Sequence, residues 1–149
     1  MKKIIITLLT LVFLTSCGYS PIYSSKNFDF NLKSIINSKN DRLGSKVKKK
    51  LRVFSNNESL KIVYLKLDTQ RKIITLAKDS KGDPSLFEMV VSIKLEIAYQ
   101  NKNINQSFEE KFNYKANINK FALNQYEKRI EELLIDKNIE RIVVYLSKI

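Results

Sequence analysis

The chain has 149 residues, 44% of them hydrophobic, enough to bury one core and too few for two ordinary domains. Lys and Arg number 27 against 15 Asp and Glu, a formal charge of +12, and a field of that strength calls for an anionic partner. Histidine is absent and glycine occurs only three times, which removes most catalytic triads, most zinc sites and any phosphate-cradling loop.

Neither an enzyme nor a metal or cofactor site is therefore expected. An active site of Asp, Glu, Lys, Tyr or Ser is possible in principle, but no spacing in the chain suggests one.

The amino terminus opens with Lys2 and Lys3, runs through apolar residues from Ile4 to Leu14, and then meets the small residues Thr15 and Ser16. This is the anatomy of an export signal. The apolar run is too short for a spanning helix, which needs about 20 residues. It also has no polar face of the kind that a core helix carries.

The single cysteine follows directly, in Leu14-Thr15-Ser16-Cys17. A disulfide would need a second thiol that the chain lacks, and a buried inert thiol would leave the export signal unexplained. The stretch resembles the lipobox of bacterial lipoproteins, which implies cleavage before Cys17 and acylation of that residue. Anchoring by more than one acyl chain is stable where a single chain is marginal. Cleavage would remove residues 1–16 with Lys2 and Lys3 and no acid, leaving 25 basic against 15 acidic side chains. Gly18 stands where an Asp commonly retains a lipoprotein in the inner membrane, so the expected location is the outer membrane.

Residues 17–26 read as a lipidated tether, extended at Pro21 and docked through Tyr19 and Tyr23. The domain proper is expected over 27–149. Phe28, Phe30 and Leu32 alternate within residues 27–36, which predicts a first strand. From Asp41 the period changes, and Leu43, Val47, Leu51 and Phe54 mark a helical stripe with Asp41 as N-cap. The opposite face carries Lys46, Lys48, Lys49, Lys50 and Arg52, either a solvated surface or an anion-binding one.

Ser59–Asp68 is rich in β-branched and aromatic residues and predicts a second strand, which residues 71–77 continue less cleanly. AKDSKGDPS is a loop signal containing Lys78 and Lys81, candidate ligand contacts, with simple solvation as the alternative. Seven apolar residues then alternate from Phe87 to Tyr99, a turn is expected at 101–103, and a returning strand carries Ile104, Phe108, Phe112 and Tyr114. Asn119–Ile149 has neither Pro nor Gly and predicts a helix, with a bend or break at Asp136–Asn138 where the apolar stripe changes phase. The expected fold is α+β: a two-layer sandwich in which two helices cover a mostly antiparallel sheet of about four strands.

Cys17-Gly18-Tyr19 with Pro21 and Tyr23 resembles the opening motif of the LPS-assembly lipoprotein family, LptE. The strand, helix, three strands and long last helix agree with that family's layout. The segment FEEKFNYKANINKFALNQYEKRIEELLIDKNIERIVVYL is similar to the end of its alphaproteobacterial members. Low Ala, Gly and Arg with high Lys, Asn and Ile departs from many relatives, in the direction of an AT-rich genome. The resemblance implies a non-catalytic lipoprotein facing the periplasm and the lumen of an LptD-like outer-membrane β-barrel, which it plugs and helps to assemble, and lipopolysaccharide as ligand. A nucleic-acid partner fits the charge and the interleaved aromatics, but export argues against it. Another envelope lipoprotein that binds or scaffolds is the alternative.

Overall fold

The computed structural model describes residues 28–149; the expected signal, the acylation site at Cys17, and Tyr19, Pro21 and Tyr23 lie outside them. Strand β1 (Asn31–Asn37) is followed by helix α1 (Arg42–Arg52). Three long strands come next, β2 (Ile62–Lys78), β3 (Pro84–Tyr99) and β4 (Lys102–Lys115), and helix α2 (Lys120–Lys148) closes the chain. The sheet order is β1-β2-β3-β4. β1 runs parallel to β2, a pairing that needs a crossover, and α1 supplies it. The other pairs are antiparallel. The expected α+β sandwich is the fold observed.

Alternation along the strands sends Val63, Leu65, Leu67, Met89, Val91, Ile93, Leu95, Ile97 and Phe108 to one face, where all are buried. Against them lie Leu43, Val47 and Leu51 of α1, and Ile130, Leu134, Ile135, Ile139, Ile142, Val143 and Leu146 of α2. The helices also meet each other. Lys46 Nζ lies 2.7 Å from Glu131 and 2.6 Å from Glu132, while Lys50 bonds Glu132 at 3.1 Å and also pairs with Asp136. The basic stripe read from α1 is therefore divided: Lys46 and Lys50 belong to a clamp between helices, and only Lys48, Lys49 and Arg52 remain on the outer side.

Other boundaries move for physical reasons. β1 begins at Asn31 instead of residue 27, and a bulge between Leu32 and Ser34 shifts its phase, so Leu32 and Ile35 both point inward. The turn between β3 and β4 is Gln100-Asn101, not 101–103. Both residues have positive φ, 47° and 60°, and Tyr99 pairs with Lys102, the geometry of a two-residue hairpin.

Helix α2 does not break at Asp136–Asn138. Asn138 is fully buried and occupies a core position of the apolar stripe, its Nδ2 donating to Val91 O at 3.1 Å and Leu134 O at 3.0 Å. A polar side chain in a core position looks, by sequence alone, like a change of phase.

Candidate functional site

β2 is one strand of 17 residues, and only its first half is covered. β1 ends opposite Leu67, so beyond Asp68 the β2 edge is unpaired, and every residue from Gln70 to Lys78 is exposed. Charged side chains on such an edge discourage another strand from adding to it, and Arg71, Lys72 and Lys78 stand there. β3 and β4 run on beside it, with Lys115 opposite Leu86. The result is a sheet arm reaching past α1.

The arm is both basic and apolar. Ile73, Ile74 and Leu76 are 40–46% exposed, and Lys78 and Lys81 stand at the end. Lys78 lies in the last position of β2, opposite Pro84, and not in the loop where the sequence put it. Lys81 is in the loop. That loop is held by Asp79, whose Oδ1 accepts from Lys81 N and Asp83 N, both at 2.9 Å, and by Gly82, whose φ of +87° suits glycine. Neither lysine makes an ion pair among the described residues. The two candidates thus come together at one tip; the apolar residues beside them were missed because 71–77 read as an irregular continuation.

Two other basic residues of the arm are paired: Lys111 with Glu109 at 3.2 Å on β4, and Arg71 with helix α2. The Arg71 guanidinium reaches Glu127 at 3.2 Å and Glu131 at 3.4 Å, and the Tyr114 hydroxyl donates to Glu127 at 2.7 Å. Burial, reinforced by the hydrogen bond and charge of Glu127, pushes the Tyr114 hydroxyl far above the ordinary tyrosine range. Tyr114 therefore stays a neutral donor at any physiological pH. This group ties the arm to α2 from Arg71 as far as the level of Thr75, which Tyr114 reaches through Phe87, and leaves Lys78 and Lys81 for other contacts.

A concavity lies at the opposite end of β2. It measures about 920 Å³ and is lined by Phe28, Val53, Phe54, Asn56, Glu58 and Ile139 among others. Phe28 packs edge-on against Phe54, with ring centroids 5.1 Å apart. Among the described residues, no group of three or more His, Cys, Asp or Glu side chains could hold a metal, and no helix is long and apolar enough to cross a membrane.

This sheet, with a crossover helix on β1 and a long final helix, is a fold found in bacterial lipoproteins. The rare lipoprotein B from Shewanella oneidensis superposes with a TM-score of 0.57 at 18% identity, covering 77% of this chain and 92% of that one. An uncharacterized lipoprotein B from Nitrosomonas europaea gives 0.57 at 13% identity, with coverage of 78% and 81%. A minor lipoprotein from Acinetobacter baumannii gives 0.56 at 16%, with coverage of 81% and 94%. No protein-family model and no curated protein matches the sequence.

Proposed function

We propose that this chain is a non-catalytic outer-membrane lipoprotein of the lipopolysaccharide transport and assembly translocon. In this reading it is anchored through acylated Cys17, it plugs and helps to assemble an LptD-like β-barrel, and it binds lipopolysaccharide. The observation that carries the reading is the arm. An amphipathic anion with phosphates and acyl chains needs cations and apolar surface within reach of each other, and Lys78 and Lys81 stand at the tip of the strand that exposes Ile74 and Leu76 a few residues back. The export signal, the lipobox, the Cys-Gly-Tyr-x-Pro opening and the likeness of fold to lipoproteins support it. A basic domain also suits a barrel lumen, which is typically polar.

The test is purification from detergent-solubilised outer membranes through a tag on the carboxyl end. A stoichiometric large β-barrel should accompany the protein, and depletion of the protein should lower surface lipopolysaccharide. Recovery of the lipoprotein alone, with surface lipopolysaccharide unchanged on depletion, sinks the translocon reading and leaves an envelope lipoprotein that binds or scaffolds something else.

A further inference from the structure

The groove beside Phe28 lies where the chain arrives from its amino terminus. Phe30, Phe28 and Phe54 form a run of aromatic contacts, with Phe28 and Phe30 at 6.0 Å and Phe28 and Phe54 at 5.1 Å, and the run leads from the core to the groove. Val53, one residue past α1, is 77% exposed on the groove wall, and buried Ile139 lines it from α2. Glu58 and Asp136 are its acids, and Asp136 is already paired with Lys50, which lines the groove as well.

We infer that the occupant of this groove is the chain's own tether, with Ile22 and Tyr23 laid against Phe28, Val53 and Ile139. Three observations select it over another ligand. The described chain starts on the groove wall, and Tyr23 is five residues upstream, a reach of up to about 17 Å in extended form. Pro21, Ile22 and Tyr23 supply apolar groups of low conformational freedom, which lose little entropy on docking. Lys26 lies between Tyr23 and Phe28 and complements Glu58, the acid of the groove that makes no ion pair among the described residues.

Docking has a geometric consequence. From Cys17 an undocked tether could extend about 36–40 Å to Phe28, whereas docking at Tyr23 leaves six residues and about 20 Å. The docked tether sets how far the domain stands from its anchor. Only this consequence rests on the lipoprotein reading; the docking itself does not depend on acylation.

The test therefore uses the unacylated mature chain, residues 17–149 with Cys17→Ser. In one version Tyr23→Cys is combined with Val53→Cys; in the other it is combined with Leu60→Cys. Leu60 is 97% exposed and close to the start of β1, since Lys61 O accepts from Asn31 N, so it lies within reach of the tether but is not part of the groove wall. Under mild oxidation the Val53 pair should close within one chain at least about tenfold faster than the Leu60 pair, because docking raises the local concentration of one thiol at the other. As a second measurement, Ile22→Ser with Tyr23→Ser in the Cys17→Ser chain should shift the methyl resonances of Val53 and Ile139. Equal closure rates, disulfides formed only between chains, or unchanged methyl resonances would each overturn the inference. The first means an undocked tether, the second a neighbouring copy's tether in the groove, and the third a groove kept for some other ligand.

Discussion

Asp41 performs three tasks with one carboxylate. It caps α1 by accepting from Gly44 N at 2.8 Å, and it accepts from the hydroxyl of buried Thr69 at 3.2 Å and from Asn37 Nδ2 at 3.3 Å. Loss of a cap costs roughly 1 kcal/mol, and a buried hydroxyl left without its acceptor adds a comparable amount. Asp41→Ala should therefore lower unfolding stability by about 2–3 kcal/mol in urea titration, while Asp41→Asn, which keeps an acceptor, should recover most of it. Gly44 poses a different constraint. A Cβ there would lie 2.4–2.5 Å from the Asn37 side-chain amide, so α1 can approach β1 only without a side chain at this position. Gly44→Ala should destabilise, and the loss should shrink in the Asn37→Ala background, giving a double-mutant coupling of about 1 kcal/mol or more. The cap was legible in the sequence because Asp before a helical stripe has a local cause. The glycine was not, because its reason stands on another strand.

At the scale of elements, the same distinction separates what local pattern shows from what packing decides. Uninterrupted alternation identified β3, and i, i+4 spacing identified α1, since each periodicity follows from the element's own geometry. The length of β2 and the continuity of α2 were obscured by residues whose roles are set from outside. Over its second half β2 meets a helix through the ion pairs of Arg71 and buries no apolar side chain, so no core contact there enforces alternation, and Asn138 takes a core position through a hydrogen bond to β3. The Oδ1 of Asn138 is buried with no partner, which reduces the net value of the amide. Asn138→Leu should thus leave stability within about 1 kcal/mol of the parent or above it. Asn138→Asp should cost about 3–5 kcal/mol at pH 8 as a buried unpaired charge, with partial recovery at pH 5 as that charge is neutralised. The clamp between α1 and α2 has its own pH signature. The Lys46 hydrogen bond, partly opposed by desolvation and helped by Lys50, holds Glu132 below the usual carboxylate value of 4.5. Desolvation works against the charges of Lys46 and Lys50, but their bonds to Glu131, Glu132 and Asp136 outweigh it and raise both above 10.5. A lowered acid stabilises above its unfolded pKa, and that contribution is lost as pH falls through the folded value; a raised base does so below its unfolded pKa, and loses it as pH rises through the folded value. The clamp's contribution should be level between about pH 5 and 10 and fade on both sides. Thermal unfolding followed across pH should show Glu132→Gln with a shallower acid limb than the parent.

The whole molecule is polar in its layout. The chain arrives at the start of β2, beside the groove, and the tip of the arm lies at the other end of that strand. At about 3.3 Å per residue, the separation is on the order of 50 Å. A domain tethered at the first end would present Lys78 and Lys81 well away from its anchor, which is where a ligand leaving the membrane surface could be met. The hairpin tip was legible from loop composition, which placed Lys81 in the loop but also drew in Lys78, the last residue of β2. The apolar flank was not: Ile73 shares the helix-facing side with buried Met89 and is exposed because the helices stop short of it, whereas Ile74 lies on the opposite, uncovered face and Leu76 in the bulge between Thr75 and Ala77. The two halves of the tip separate experimentally. Lys78 and Lys81 are exposed and in no described ion pair, so Lys78→Glu with Lys81→Glu should leave the urea midpoint almost unchanged. Binding to purified lipopolysaccharide should fall by tenfold or more at low salt, with the difference narrowing as salt screens the charges, on the order of a Debye length of 8–10 Å at physiological ionic strength. Ile74→Ser with Leu76→Ser should instead weaken binding to a similar degree at every salt concentration, because that contribution is apolar. If neither pair alters lipopolysaccharide binding while both proteins remain folded, the arm is not the binding surface and the ligand, if bound at all, is held elsewhere on the domain.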